Sequence, residues 1–116
     1  MRRLLALSLI VLFTSFATAR ADWVQYGTPL VVGAAYSYAT DCVSDGAGGA
    51  IVLVNDNRNG LYDLFAQRID RFGVVQWAAN GVSVSLAAND QSGAVGISDG
   101  AGGAIIAWMD YRSSVG

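Results

Sequence analysis

The chain contains no Lys, no His and no Glu in 116 residues. Aspartate is the sole carboxylate, and most side chains that serve enzymes as general acids and bases are missing. All seven cations are arginines, and Arg2, Arg3 and Arg20 lie near the N-terminus. Beyond them only Arg58, Arg68, Arg71 and Arg112 face nine aspartates, which run from Asp22 to Asp110. Phosphate binding leans on clustered Lys and Arg, so this acidic balance speaks against a nucleic-acid partner. Cys42 is the one cysteine, which rules out an intrachain disulfide.

The residues before Trp23 are of another kind. Arg2-Arg3 is followed by Leu4 to Phe16, apolar apart from Ser8, Thr14 and Ser15, and Ala19-Arg20-Ala21 places small residues at both cleavage-site positions. This is the layout of a secretory signal peptide over 1–21, with the exported chain starting at Asp22. The apolar run is shorter than the ~20 residues of a spanning helix, so no membrane span is expected after cleavage. The expected location is secreted or cell surface, or the periplasm.

What the chain does have is a repeat. Ser44-Asp45-Gly46-Ala47-Gly48-Gly49-Ala50-Ile51 returns as Ser98-Asp99-Gly100-Ala101-Gly102-Gly103-Ala104-Ile105, 54 residues later and without a gap. At the same offset Trp23 falls on Trp77, Gly27 on Gly81, Val43 on Ile97, Asp56 on Asp110 and Arg58 on Arg112. Fixed-period self-similarity marks stacked supersecondary units that bury their faces against neighbours. The expected organisation is a first unit over 22–76 and a second over 77–116 that stops in mid-unit. Cys42 falls on Gly96, so the thiol reads as packing rather than chemistry.

Each unit reads as short strands joined by tight turns. Asp45, Gly46, Gly48 and Gly49, with their counterparts Asp99, Gly100, Gly102 and Gly103, form hairpin-turn chemistry, because glycine supplies positive φ and Asp bonds back to the loop. Strands are expected near 41–44 and 94–98 before these turns, and at Ala50–Val54 and Ala104–Met109 after them. The continuous apolar character of the latter pair predicts strands covered on both faces. Leu61–Asp70 fits a strand bounded by turn clusters better than a short helix. Val74–Trp77 is expected to pair with it across Gly73, and Val82–Leu86 forms another alternating run. Four short strands per period describe an all-β fold, with antiparallel four-stranded β-propeller-like blades preferred over sandwich-like repeats or another β architecture.

The ordered set Asp-Gly-Ala-Gly-Gly-Ala-Ile, Trp108-Met109-Asp110-Tyr111-Arg112, Leu61–Asp70 and Trp77-Ala78-Ala79-Asn80-Gly81-Val82 resembles the tandem repeats of large secreted bacterial propeller-like proteins. The first unit departs from it, with Val54 at the Trp108 position and Asn57 at that of Tyr111. The resemblance implies many blades in one chain and carries no shared catalytic set. Closed propellers have about four to eight blades, so fewer than two units read as an N-terminal fragment that self-associates through apolar faces and open strand edges.

Sharper chemistry finds little support. Asn55–Gly60 spaces oxygen side chains like a calcium loop with Asp63 nearby, but it opens on Asn and has Ala66 where a bidentate Glu belongs. No cofactor or metal is expected. The pairs Asp56–Arg58 and Asp110–Arg112 sit in both units, and a catalytic centre is built once, so they read as structural ties. No unrepeated cluster of Asp, Tyr or Arg stands out at strand ends. The function expected is a noncatalytic exported repeat scaffold that binds a protein or glycan, with a secreted glycosidase-like hydrolase as the alternative.

Overall fold

The computed structural model describes residues 24–113; the expected signal peptide lies outside them. Among these residues the fold is all-β and antiparallel, without helix, and the sheets number two. The first, sheet A, is a meander of β1 (Ser37–Ser44), β2 (Ala50–Asp56), β3 (Asp63–Ile69) and β4 (Val82–Ser85) in spatial order β1-β2-β3-β4. The second, sheet B, pairs β5 (Gln91–Ser98) with β6 (Ala104–Asp110). The bounds of β5 and β6 lie 54 residues after those of β1 and β2.

The glycine-rich strings close the β1–β2 and β5–β6 hairpins. Gly46 and Gly48 have φ of 73° and 86°, and Gly100 and Gly102 of 79° and 87°, values that a β-carbon penalises. Leu61–Asp70 resolves into strand β3, flanked by turns as its neighbouring Asn-Gly and Phe-Gly dipeptides require.

Val74–Trp77 does not form a strand. It does pair with the end of β3 across Gly73, as expected, through the Val75–Ile69 bridge, with Asp70 N–H donating to the Val74 carbonyl at 2.9 Å and Gln76 N–H to the Arg68 carbonyl at 2.8 Å, and the Gln67 side chain takes over beyond that. Its Oε1 accepts from the Trp77 N–H at 3.1 Å and its Nε2 donates to the Ala78 carbonyl at 2.8 Å. A buried side-chain amide thus replaces the next ladder bonds, and the fourth place in sheet A goes to β4, beyond the sequence boundary at residue 76.

Alternation along each strand divides sheet A into two faces. Its front carries Val43, Ile51, Leu53, Leu64 and Ala66, and sheet B lies across it, contributing buried Ala94 with Ala104, Ile106 and Trp108 packed alongside. Burying side chains the size of Ile51, Leu53 and Leu64 contributes about 1.5–3 kcal/mol each. Gly96 sets the approach: a β-carbon there would stand 2.7 Å from Val43 Cγ2 and 3.3 Å from Leu53 Cδ1. The back of sheet A holds buried Val54 and Phe65. Leu30 and Val31 border a small cavity there with Val52 and Val54, and Val32 N–H donates to Asn80 Oδ1 at 2.8 Å.

Coverage on both faces holds for β2 and β3 and fails for β6. Successive β6 residues alternate between half-buried and exposed, because one face meets sheet A and the other meets solvent. Apolar continuity reports a strand's chemistry and not which neighbours are in place.

If the Gly96 contact governs sheet stacking, Gly96→Ala should lower stability by about 1–3 kcal/mol through overpacking. Gly100→Ala, at an open turn position, should cost about 1 kcal/mol through backbone strain alone. Urea midpoints measure both; a Gly96→Ala chain as stable as the parent contradicts the packing.

Candidate functional site

The two ends of the sheets are built differently. At one end lie the paired hairpin turns, each organised by an aspartate. Asp45 Oδ1 accepts from the Ala47 and Gly49 N–H groups, both at 2.8 Å, and Asp99 Oδ1 accepts from Ala101 at 2.7 Å and Gly103 at 2.9 Å. Ser44 and Ser98 hydroxyls each accept from the following Gly N–H, at 3.1 Å. Gly49 has no room for a β-carbon, which would fall 2.3 Å from the Ile69 carbonyl oxygen. Asp45 Oδ2 also receives Arg68, from Nη2 at 2.9 Å. These aspartates and glycines therefore shape loops; their donors point inward at the carboxylate.

At the opposite end stand the two Asp–Arg pairs, on β2 and β6 ends. Arg58 Nε donates to both oxygens of Asp56, at 2.8 and 2.9 Å, and its Nη2 pairs with Oδ2. The same Nη2 reaches the Asn80 carbonyl at 2.8 Å, while the guanidinium sits 3.8 Å over the Phe65 ring. Arg58 therefore joins the β2 end to the loop before β4. Arg112 Nε donates to Asp110 Oδ2 at 2.7 Å and its Nη2 pairs with the same oxygen, but this pair is more exposed.

Between them runs a buried amide network. Asn55 Nδ2 donates to the Asp63 carbonyl at 3.1 Å and to the Gln91 carbonyl at 2.7 Å, linking sheet A to the start of β5. Gln91, also fully buried, accepts at Oε1 from Trp108 Nε1 at 2.9 Å and from Ser85 Oγ at 3.4 Å. Asn55 Oδ1 has no hydrogen-bond partner, but losing the bonds that Asn55 Nδ2 and Gln91 do make would cost about 1–3 kcal/mol each at this depth, so the network fixes how the two sheets meet. A third tie lies further along β1, where Asp41 Oδ2 accepts the Gly96 N–H at 2.8 Å.

Above this network opens a cleft of about 450 Å³, lined by Tyr38, Tyr62, Tyr111, Asn89, Asp90, Gln91 and Ser92. Tyr38 and Tyr62 meet edge to face with ring centroids 5.7 Å apart. The loop beneath is held by reciprocal bonds: Gln91 N–H donates to the Tyr62 carbonyl at 2.7 Å and Tyr62 N–H to Asp90 Oδ1 at 2.9 Å. Asn89, at a φ of 61°, donates from Nδ2 to the Tyr111 carbonyl at 3.1 Å. Tyrosine rings and short polar side chains thus converge on one open, anchored surface. Among the described residues Asp90 is the sole carboxylate in its lining.

The sequence motifs do not line this cleft. Asp45, Gly46, Gly48 and Gly49 lie with Asp99, Gly100, Gly102 and Gly103 in the far turns; Trp108 faces the core through its indole; Asp56, Arg58, Asp110 and Arg112 fasten strand ends. In the calcium-like stretch, Asn55 is turned into the amide network, Asn57 Oδ1 accepts from the Tyr36 N–H at 2.9 Å and Asp63 Oδ2 accepts from Asn59 at 2.8 Å. Among the described residues no group of three or more His, Cys, Asp or Glu side chains could hold a metal.

The cleft lining includes strand-end residues that do not repeat and that the sequence reading did not single out. Tyr38, Asp90 and Tyr111 fall opposite Ser92, Tyr36 and Asn57 at the 54-residue offset. Its members come from separate segments, and the one available signal was their failure to repeat at strand termini. Comparison with known proteins returned no match: no protein-family model, no curated protein and no solved structure matches the chain.

The carboxylates carry a pH dependence with a definite sign. The Gly96 N–H, then that of Cys42, holds Asp41 below its ordinary value; Ala47, with help from Gly49 and Arg68, does so for Asp45; Ala101 and Gly103 do so for Asp99. The hydrogen bond from Arg112 brings Asp110 down to about 2. A depressed carboxylate stabilises the fold above its unfolded pKa and loses that contribution as pH falls through the folded one. Urea midpoints should therefore hold level from about pH 7 to 5 and fall from about pH 4 toward 2. Asp45→Asn and Asp99→Asn together should flatten that slope; a midpoint independent of acid in the parent chain contradicts it.

Proposed function

We propose that the chain is a noncatalytic exported β-repeat scaffold that binds a neutral glycan in the tyrosine cleft. One observation carries this reading: three tyrosines and the polar groups of Asn89, Asp90 and Ser92 meet around one open cleft. Aromatic rings cover the apolar faces of a pyranose, and amide and carboxylate groups pair with its hydroxyls. The cleft is formed by backbone bonds already in place, so a ligand meets an organised surface. Glycosidic cleavage uses paired carboxylates, whereas this cleft offers Asp90 alone, which favours binding over hydrolysis.

Blade-like stacking is part of the same proposal. Support comes from the 54-residue offset between the strand bounds of β1–β2 and β5–β6, and from sheet A taking β4 from the second sequence unit. Such overlap locks neighbouring units together, as expected of propeller-like repeats in which each sheet is covered by the next. Export through the 1–21 leader would bring the cleft to glycans outside the cell or in the periplasm.

The test is binding of neutral oligosaccharides to the chain, read by calorimetry or a glycan array. Tyr38→Ala and Tyr111→Ala should each weaken binding at least about tenfold, since truncated aromatic anchors cost about 2 kcal/mol or more. Absence of binding, or affinities untouched by both substitutions, would remove the reading.

A further inference from the structure

Two Asn-Gly steps lie in the turns of sheet A, Asn59-Gly60 between β2 and β3 and Asn80-Gly81 just before β4. This dipeptide carries a chemistry of its own. Glycine has no side chain to shield its backbone nitrogen, so that nitrogen can attack the side-chain carbonyl of the preceding Asn whenever the loop opens far enough to bring the two together. Whether it does so is decided by what holds the loop.

The structure treats the two steps differently. Asn80 is held from several sides: its Oδ1 accepts the Val32 N–H at 2.8 Å, its backbone carbonyl accepts Arg58 Nη2 at 2.8 Å, and the Gly81 N–H donates to the Ala78 carbonyl at 2.9 Å. Gly81 is also hemmed in, since a β-carbon there would stand 2.7 Å from the Ala66 carbonyl oxygen. Asn59 and Gly60, by contrast, are both exposed. Among the described residues nothing lies within 4 Å of the place a Gly60 β-carbon would take, and the Asn59 carboxamide has one tie, from Nδ2 to Asp63 Oδ2 at 2.8 Å. The Gly60 N–H donates to the Asn57 carbonyl at 2.9 Å across an open turn, a bond that local fraying breaks. The Asp45-Gly46 and Asp99-Gly100 steps are shut in another way. Their loop N–H groups hold both carboxyls below the ordinary value and so anionic, a poor target for a nucleophile, while Ser44 and Ser98 hold the glycine N–H groups.

We propose that Asn59 is a site of spontaneous deamidation, and that the change loosens the β2–β3 turn. The Gly60 nitrogen, giving up its proton to solvent, bonds to Asn59 Cγ; Nδ2 takes a proton from solvent and leaves as ammonia, closing a succinimide ring. Water then opens the ring at either carbonyl to give aspartate or isoaspartate. The balance is one water consumed and one ammonia released. Both products exchange the donor that met Asp63 for a carboxylate facing it, and isoaspartate also lengthens the backbone inside the turn. Asp63 is only 6% exposed, so little water screens that repulsion. None of this rests on the glycan reading or on the stacking of repeats.

Peptide mass spectrometry of the full chain, incubated in mildly alkaline buffer both folded and unfolded in guanidinium, tests the proposal. Cleavage after arginine separates the two sites into peptides 59–68 and 72–112. In the folded chain Asn59 should gain one mass unit at least about tenfold faster than Asn80, and in the unfolded chain the two rates should converge. Asn59→Gln, which keeps the carboxamide but needs a larger ring, should silence peptide 59–68. Asn59→Asp, which carries the charge of the product, should lower the urea midpoint. An Asn59 that stays intact in the folded chain, or an Asn80 that converts as fast, would overturn the site; an Asn59→Asp chain as stable as the parent would overturn its effect on the turn.

Discussion

The close approach of Gly96 to Val43 and Leu53 is the contact on which the rest of the structure depends. With no β-carbon at residue 96, β5 settles against sheet A closely enough for its N–H to reach Asp41 at 2.8 Å. That approach carries Ala94 into the core beside Leu53 and Leu64, and brings Gln91 over Asn55. Apolar burial supplies the bulk of the attraction between the sheets, while the Asp41 and Asn55 bonds select one orientation among the many that apolar faces would tolerate.

The tyrosine cleft is a consequence of that orientation. Tyr38 and Tyr62 arrive from sheet A, and Asp90, Gln91 and Tyr111 from the ends of sheet B. The lining exists only where the two sheets meet in this register. Repeated and unrepeated positions have separate tasks: Asp45 and Asp99 with their glycines close hairpins, and Asp56–Arg58 and Asp110–Arg112 fasten strand ends, while the side chains that shape the cleft occur once. Hairpin closure and the lining of the cleft are thereby encoded on different residues of the same strands.

Much of the fold was legible in the sequence, and the reasons are local. Asp-Gly-Ala-Gly-Gly states a hairpin because each turn needs positive φ at defined places and a carboxylate to collect the loop N–H groups. Strand β3 was legible from the turns around it. The pairing of Val74–Trp77 across Gly73 was legible but its early end was not, because the Gln67 side chain takes the bonds at Trp77 and Ala78, and no periodicity reports that a buried amide will capture them. The place of β4 was hidden because pairing with β3 crosses residue 76, where the sequence period led one to expect a boundary. The cleft was the least legible feature: its residues are scattered from Tyr38 to Tyr111, and the very period that exposed the architecture drew attention to the positions that repeat.

The central claim is that the two sheets stack through Gly96, and nuclear Overhauser contacts test it most directly. The structure predicts strong cross-peaks from the Gly96 α-protons to the methyls of Val43 and Leu53, together with slow exchange of the Gly96 amide donated to Asp41. Intact β1–β2 and β5–β6 cross-strand contacts with no Gly96 cross-peaks to either methyl pair would contradict it, leaving two hairpins that fold without meeting.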